Sequence, residues 1–348
     1  MSVWAIALAF SLSVLLTPIL RGVAPRIGAL DRPDPRKVHN KVMPRLGGVA
    51  IFAGFVAAYL AGGMYYPSFQ GLLWGASLIL VVGLVDDIRG LSPRWKLAGQ
   101  VAAALVVALF GARVEFLTNP FDGFLFLGKL AIPVTVFWLV SVTNALNLVD
   151  GLDGLAAGTA LIASVTMAVV AWLEGETRVA FLALALAASI LGFLPYNFYP
   201  ASIFMGDSGS MFLGLTLATL AVLGLTKSAT VISLFIPVLI LGIPILDTFF
   251  AIVRRFLNRR PIFQPDKGHL HHCLMAYGLT QKQAVLAIYL VNLCLGASAV
   301  LLTRLTTDQG VIILILLSVA VVWASNRLGV TSYRLKPGKG EEHNAFHS

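Results

Sequence analysis

Runs of about twenty apolar residues recur eleven times in this chain, beginning near residues 3, 47, 70, 97, 129, 154, 179, 210, 230, 283 and 310. A helix of ~20 residues crosses ~30 Å of hydrocarbon, and only helices or closed barrels satisfy their own backbone there. The composition agrees, with 58% of 348 residues hydrophobic and 12% charged, where a soluble domain carries roughly 25% charged residues. The expected fold is therefore an all-α polytopic membrane protein of about eleven transmembrane helices. Residues 1–327 read as one transmembrane domain and 328–348 as a short tail, with no repeat and no soluble module. The turn Tyr65-Tyr66-Pro67-Ser68 splits two of the shorter runs.

Basic residues orient the chain. Placing the N-terminus outside and the C-terminus inside puts loops 21–46, 86–96, 254–282 and 327–348 in the cytoplasm, where they hold 20 of the 25 Lys and Arg residues. Reversing the topology would violate the positive-inside rule. The first run has no basic residues before it and Arg21 and Arg26 after it, so it reads as a retained anchor. A net charge of +9 fits loops beside an anionic leaflet, and no nucleic-acid partner is expected. Cys273 and Cys294 form neither a disulfide framework nor a zinc spacing.

On that topology the carboxylates gather at one face. Asp86 and Asp87 follow the third run, Asp150 and Asp153 the fifth, and Asp207 the seventh, all at cytoplasmic ends. A carboxylate at the bilayer centre costs several kcal/mol, so these positions describe a shallow site at the interface. Asn144, Asn147 and Asp150 are spaced by three and share a helix face. Amide and carboxylate oxygens of this kind suit Mg²⁺, which keeps waters and takes further oxygens from a substrate phosphate. The implied chemistry is phosphoryl transfer at a membrane surface. Each element has a plainer reading: the Asp pair as solvated loop, GDSG as a helix start without a catalytic triad, and HLHH at 269–272 as surface histidines. Asp247 lies seven residues before Arg254, about 10 Å inside a helix end. It is expected to hold a loop or a basic side chain. A transporter would place its coupling residues near the midplane on paired broken helices, a pattern not evident here.

VDDIRGLSPRWKLAGQ, NALNLVDGLDGLAAG, FMGDSGS and GHLHH, with the early loop DRPDPRKVHNKVMPRLGG, resemble in order the polyprenyl-phosphate N-acetylhexosamine-1-phosphate transferases of glycosyltransferase family 4. The resemblance runs from about residue 30 to 280, and PDKGHLHH resembles the bacterial branch that uses UDP-N-acetylglucosamine. It implies transfer of N-acetylglucosamine 1-phosphate from UDP-N-acetylglucosamine to undecaprenyl phosphate with release of UMP. That is the first membrane step of cell-surface polysaccharide or teichoic acid assembly. The alternative is the same reaction with another UDP-N-acetylhexosamine, including UDP-MurNAc-pentapeptide. The implied setting is the bacterial inner membrane with a cytoplasmic active site, Mg²⁺ (or Mn²⁺) as cofactor, and a homodimer left open.

Roles follow residue by residue. The resemblance matches Asp207 and Asn147 to Mg²⁺ ligands, and Asp86 and Asp87 to the acidic pair at the reacting lipid phosphate. Asp153 and Phe204 match positions that hold the uracil, Lys96 a lysine on the diphosphate, and His269, His271 and His272 a motif near sugar and diphosphate. Asn144, Arg45 and Arg260 complete the substrate-binding set, Arg45 at a position where the family varies and Arg260 from its crowded basic loop. Asp150 is either a supporting group or the attacking carboxylate of a covalent scheme. Direct displacement is favoured, with Asp86 taking the proton, because a lipid phosphate is already largely anionic near pH 7.

Overall fold

The computed structural model describes residues 3–33, 41–118, 124–224, 235–257 and 268–327. Helices dominate: α1 Val3–Ile27, α2 Gly47–Ala61, α3 Pro67–Arg89, α4 Pro93–Leu109, α5 Ala131–Val149, α6 Leu155–Leu173, α7 Thr177–Asn197 and α8 Gly206–Gly224. They are followed by α9 Phe235–Ile240, α10 Gly242–Leu257, α11 Leu270–Ala276, α12 Gln281–Leu302 and α13 Thr307–Arg327. Two short antiparallel hairpins accompany them, β1 Leu30–Asp31 with β2 Met43–Pro44 and β3 Phe116–Thr118 with β4 Phe124–Phe126.

The all-α polytopic expectation is borne out. Among the described residues eight helices are long and apolar enough to cross a membrane: α1, α3, α5, α6, α7, α8, α12 and α13. Helices α2 and α4 fall short of that length, at 15 and 17 residues. The run expected from residue 230 begins outside the described residues and continues as α9 and α10. The turn between the two shorter runs is present, with Pro67 opening α3, where a missing N–H costs nothing. The expected tail lies outside the described residues.

Helix α8 is the axis of the bundle, buried from Ser208 to Gly224 and packed by α2, α3 and α5. Small residues permit that approach. A Cβ on Gly83 of α3 would sit 2.3 Å from Cα of Ser208, so only glycine lets α3 touch the first turn of α8. Gly206 starts α8 at φ +77°, a left-handed conformation natural to glycine. The segment after β2 clamps the chain entering α8: Phe204 N–H donates to the Pro44 carbonyl (2.8 Å) and Gly47 N–H to the Phe204 carbonyl (3.0 Å). The C-terminal ends of α3 and α5 thus meet the N-terminal ends of α6 and α8. The five carboxylates expected at cytoplasmic helix ends, Asp86, Asp87, Asp150, Asp153 and Asp207, gather at that one end of the bundle.

Candidate active site

Beside these helix ends lies a cavity of about 560 Å³, the size of an ordinary ligand site; Asp86, Asp87 and Lys96 stand behind its wall rather than in its lining. Helix α5 and the turn after it contribute Asn147, Asp150 and Asp153; the end of α7 and the segment after it contribute Asn197, Tyr199 and Phe204; α8 contributes Asp207. The β1–β2 hairpin adds Asp31, Lys41 and Arg45, and the start of α11 adds His271 and His272.

Asp207, in the first turn of α8, is the hub. Its Oδ1 accepts from Lys96 Nζ at 2.9 Å and from the Asn147 amide, which also donates to Ser210 Oγ at 2.8 Å. Lys96 Nζ lies 3.0 Å from Asp86 Oδ2, so one ammonium joins two carboxylates from α3 and α8. The other Asp86 oxygen accepts the Leu91 N–H at 2.6 Å. Asp86 therefore has a partner on each oxygen, one from α4 and one from its own chain just past α3.

Asp87 does something else again. Buried at 4% exposure, it accepts the N–H groups of Asp207 (2.9 Å) and Ser208 (3.0 Å) and the Ser208 hydroxyl (2.7 Å). It caps α8 from a neighbouring helix, complementing the positive end of the helix dipole. Adjacent helical residues point ~100° apart, so one member of the Asp pair reaches Lys96 while the other holds the helix that carries Asp207.

Asp150 follows α5 with ψ +59°, out of the helical region. Its carboxyl lines the cavity and is pushed up to about 7 by burial and then by Asp207, with Arg45 opposing. Asp153 Oδ2 accepts the Ala201 N–H at 2.9 Å, which ties the turn to the segment carrying Phe204. Arg45 Nη2 is 3.5 Å from the buried Asp31 carboxylate.

Asn144 is not in the cavity lining. Its amide and that of Gln100 on α4 donate to each other at 2.7 and 3.2 Å, an interhelical clasp that fixes α4 against α5. A spacing of three drifts about 60° per step around a helix, which turns Asn144 away from the wall that Asn147 occupies.

The histidines are not a surface cluster: His269 and His271 are 7% and 3% exposed. His269 Nδ1 lies 2.8 Å from Asp247 Oδ2, and Asp247 Oδ1 accepts the Leu270 N–H at 2.8 Å, so Asp247 holds a loop, as its depth suggested. The rings of His269 and His271 stack at 6.0 Å and 5°. Burial, then His272, pushes His271 down to about 3, which keeps its ring neutral. Arg260 lies outside the described residues. Sequence reasoning missed Gln100, Asp31, Lys41, Asn197, Tyr199 and Gln281; of these Gln100, Asp31 and Lys41 lay in quoted motifs.

The donor set fits Mg²⁺. Asp207 and the Asn147 amide both line the cavity, and Ser210 Oγ tolerates either face of that amide because a hydroxyl both donates and accepts. Among the described residues no three His, Cys, Asp or Glu converge on one point; Mg²⁺ commonly completes its shell with water and substrate phosphate.

Fold and site together define a polytopic helical membrane enzyme with a carboxylate-rich cavity at one end of its bundle. The family model for glycosyl transferase family 4 matches residues 69–225. A probable undecaprenyl-phosphate N-acetylglucosaminyl 1-phosphate transferase of Bacillus subtilis (strain 168) is 45% identical over 338 residues, covering 95% of this chain and 94% of that protein. A decaprenyl-phosphate N-acetylglucosaminephosphotransferase of Mycobacterium tuberculosis (strain ATCC 25618 / H37Rv) is 39% identical, over 78% of this chain and 75% of that protein. An undecaprenyl-phosphate alpha-N-acetylglucosaminyl 1-phosphate transferase of Escherichia coli (strain K12) is 28% identical, over 84% and 81%. The chain belongs to glycosyl transferase family 4, among the polyprenyl-phosphate sugar-phosphate transferases that its motifs resemble. That membership removes the transporter reading.

Proposed function

We infer that the protein transfers N-acetylglucosamine 1-phosphate from UDP-N-acetylglucosamine to undecaprenyl phosphate, releasing UMP. The observation that carries the reading is the shared cavity: Asp207, Asn147 and Asp150 on the α5–α8 wall, with Asp153, Phe204 and the histidines around it. An oxygen of the lipid phosphate attacks the sugar-bound phosphorus, and the bond from that phosphorus to the UMP oxygen breaks. Bound Mg²⁺, held by Asp207 and Asn147, would neutralise charge on the diphosphate. Lys96 gives a fixed cation beside Asp207, and Phe204 offers an aromatic face for the base, worth ~1–3 kcal/mol. His271, being neutral, donates or accepts a hydrogen bond without adding charge. Asp150 is the carboxylate placed to accept the lipid phosphate's proton, since it lines the cavity and Asp86 and Asp87 do not. This arrangement favours direct displacement, in which positioning and electrostatics suffice. An exchange of labelled UMP into UDP-N-acetylglucosamine without lipid would contradict it.

The same proposal sets the protein in the bacterial inner membrane with eleven spans, N-terminus outside and the cavity cytoplasmic. It rests on the distribution of Lys and Arg. In a Cys294→Ser background, an impermeant thiol reagent added to intact cells should label a cysteine at Lys129 and spare one at Tyr277; the reverse pattern would invert the topology. Both native residues are exposed. A homodimer forms no part of this reading.

A further inference from the structure

Helix α11 is only seven residues long, too short to hold a conformation by itself. Yet it brings His271 and His272 into the cavity. What fixes it comes from α10. Asp247 takes the His269 ring with one oxygen and the Leu270 N–H with the other, both at 2.8 Å. Two turns on, along the same face, the guanidinium of Arg254 packs against Gly268 so closely that a Cβ there would lie 2.4 Å from Cζ. Asp247 and Arg254 are both buried, at 5% and 3% exposure. His269 does not line the cavity; its ring stacks in parallel on His271, which does.

We propose that Asp247 is a positioning residue for the transferase reaction: through His269 and the first N–H of α11 it sets where His271 and His272 stand. This rests on the reading above only in naming the reaction. The two contacts act as a clamp because they restrain the ring and the backbone of consecutive residues from one side chain on α10. Asp247→Asn can keep both, its Oδ1 accepting from Leu270 and its amide donating to His269 Nδ1 in the other tautomer. Asp247→Ala keeps neither.

The test uses the full chain purified in detergent, with two readouts. The first needs no substrate: the rate at which diethyl pyrocarbonate modifies each histidine, read by mass spectrometry. His269 and His271 should be protected in the wild type and in Asp247→Asn, and become about tenfold faster to react in Asp247→Ala through local opening. The second is turnover of UDP-N-acetylglucosamine. Asp247→Ala should lower kcat ~100-fold, the cost of a misplacement of about 1 Å, while Asp247→Asn keeps most of it. Protection unchanged in Asp247→Ala would overturn the proposal, as would equal loss of kcat in both variants with protection intact. A wild type that modifies as expected but does not turn over UDP-N-acetylglucosamine would defeat the assigned substrate and leave the clamp standing.

Discussion

Changing Asp87 to Ala separates a structural from a chemical role for the acidic pair. The substitution removes the acceptor for two buried N–H groups, those of Asp207 and Ser208, and for the Ser208 hydroxyl. Each buried N–H left without a partner costs ~1–3 kcal/mol, and a lost carboxylate at a helix N-terminus adds ~0.3–1 kcal/mol. The hydroxyl can rotate to another acceptor, and neighbours relax, so roughly 2–4 kcal/mol is expected. For a chain of this size that is roughly 4–8 °C in Tm, read by thermal unfolding in detergent with Ser208→Ala as a milder control. Activity should fall as well, because the turn that loses its cap carries Asp207. An Asp87→Ala protein that melts within a degree of the wild type yet has lost turnover would refute the capping account and return Asp87 to the chemistry.

Lys96→Ala leaves Asp86 and Asp207 facing each other without their shared ammonium; kcat should fall ~100-fold or more, and a change under threefold in steady-state rate would argue against the hub. His271 ties stability to pH: the unfolded ring binds a proton below ~6.5 that the folded ring, at about 3, refuses. Its contribution is therefore complete above pH ~6.5 and lost as pH falls, by up to ~1.4 kcal/mol per unit. Between pH 7 and 5 the wild type should lose more Tm than His271→Gln, and equal losses would contradict a buried neutral ring. Gln100→Ala and Asn144→Ala each break the same clasp, so the double variant should cost little more than either; it should leave KM for UDP-N-acetylglucosamine unchanged, whereas a raised KM for Asn144→Ala alone would restore it to the substrate site.

The apolar runs made the helices legible, because in a bilayer the backbone leaves few alternatives. The cavity was legible too: Asn147, Asp150, Asp153, Phe204, Asp207, His271 and His272 all line it, since their motifs sit at helix ends that the bundle brings together. What could not be read was direction. Asp86 and Asp87 are neighbours in sequence but point to different partners, and Asn144 lies one turn from Asn147 yet pairs with Gln100. Burial of the HLHH segment depends on Asp247, 22 residues away from His269 and on another helix. Such long-range pairings leave no periodic signal.

The central claim is that a sugar phosphate, and not a bare sugar, moves to the lipid. Purified protein with undecaprenyl phosphate, Mg²⁺ and UDP-N-acetylglucosamine labelled in the uridine tests it in one chromatogram. The account predicts label in UMP, dependent on the lipid and abolished in Asp207→Ala. Label in UDP, or UMP release that survives Asp207→Ala, would contradict it.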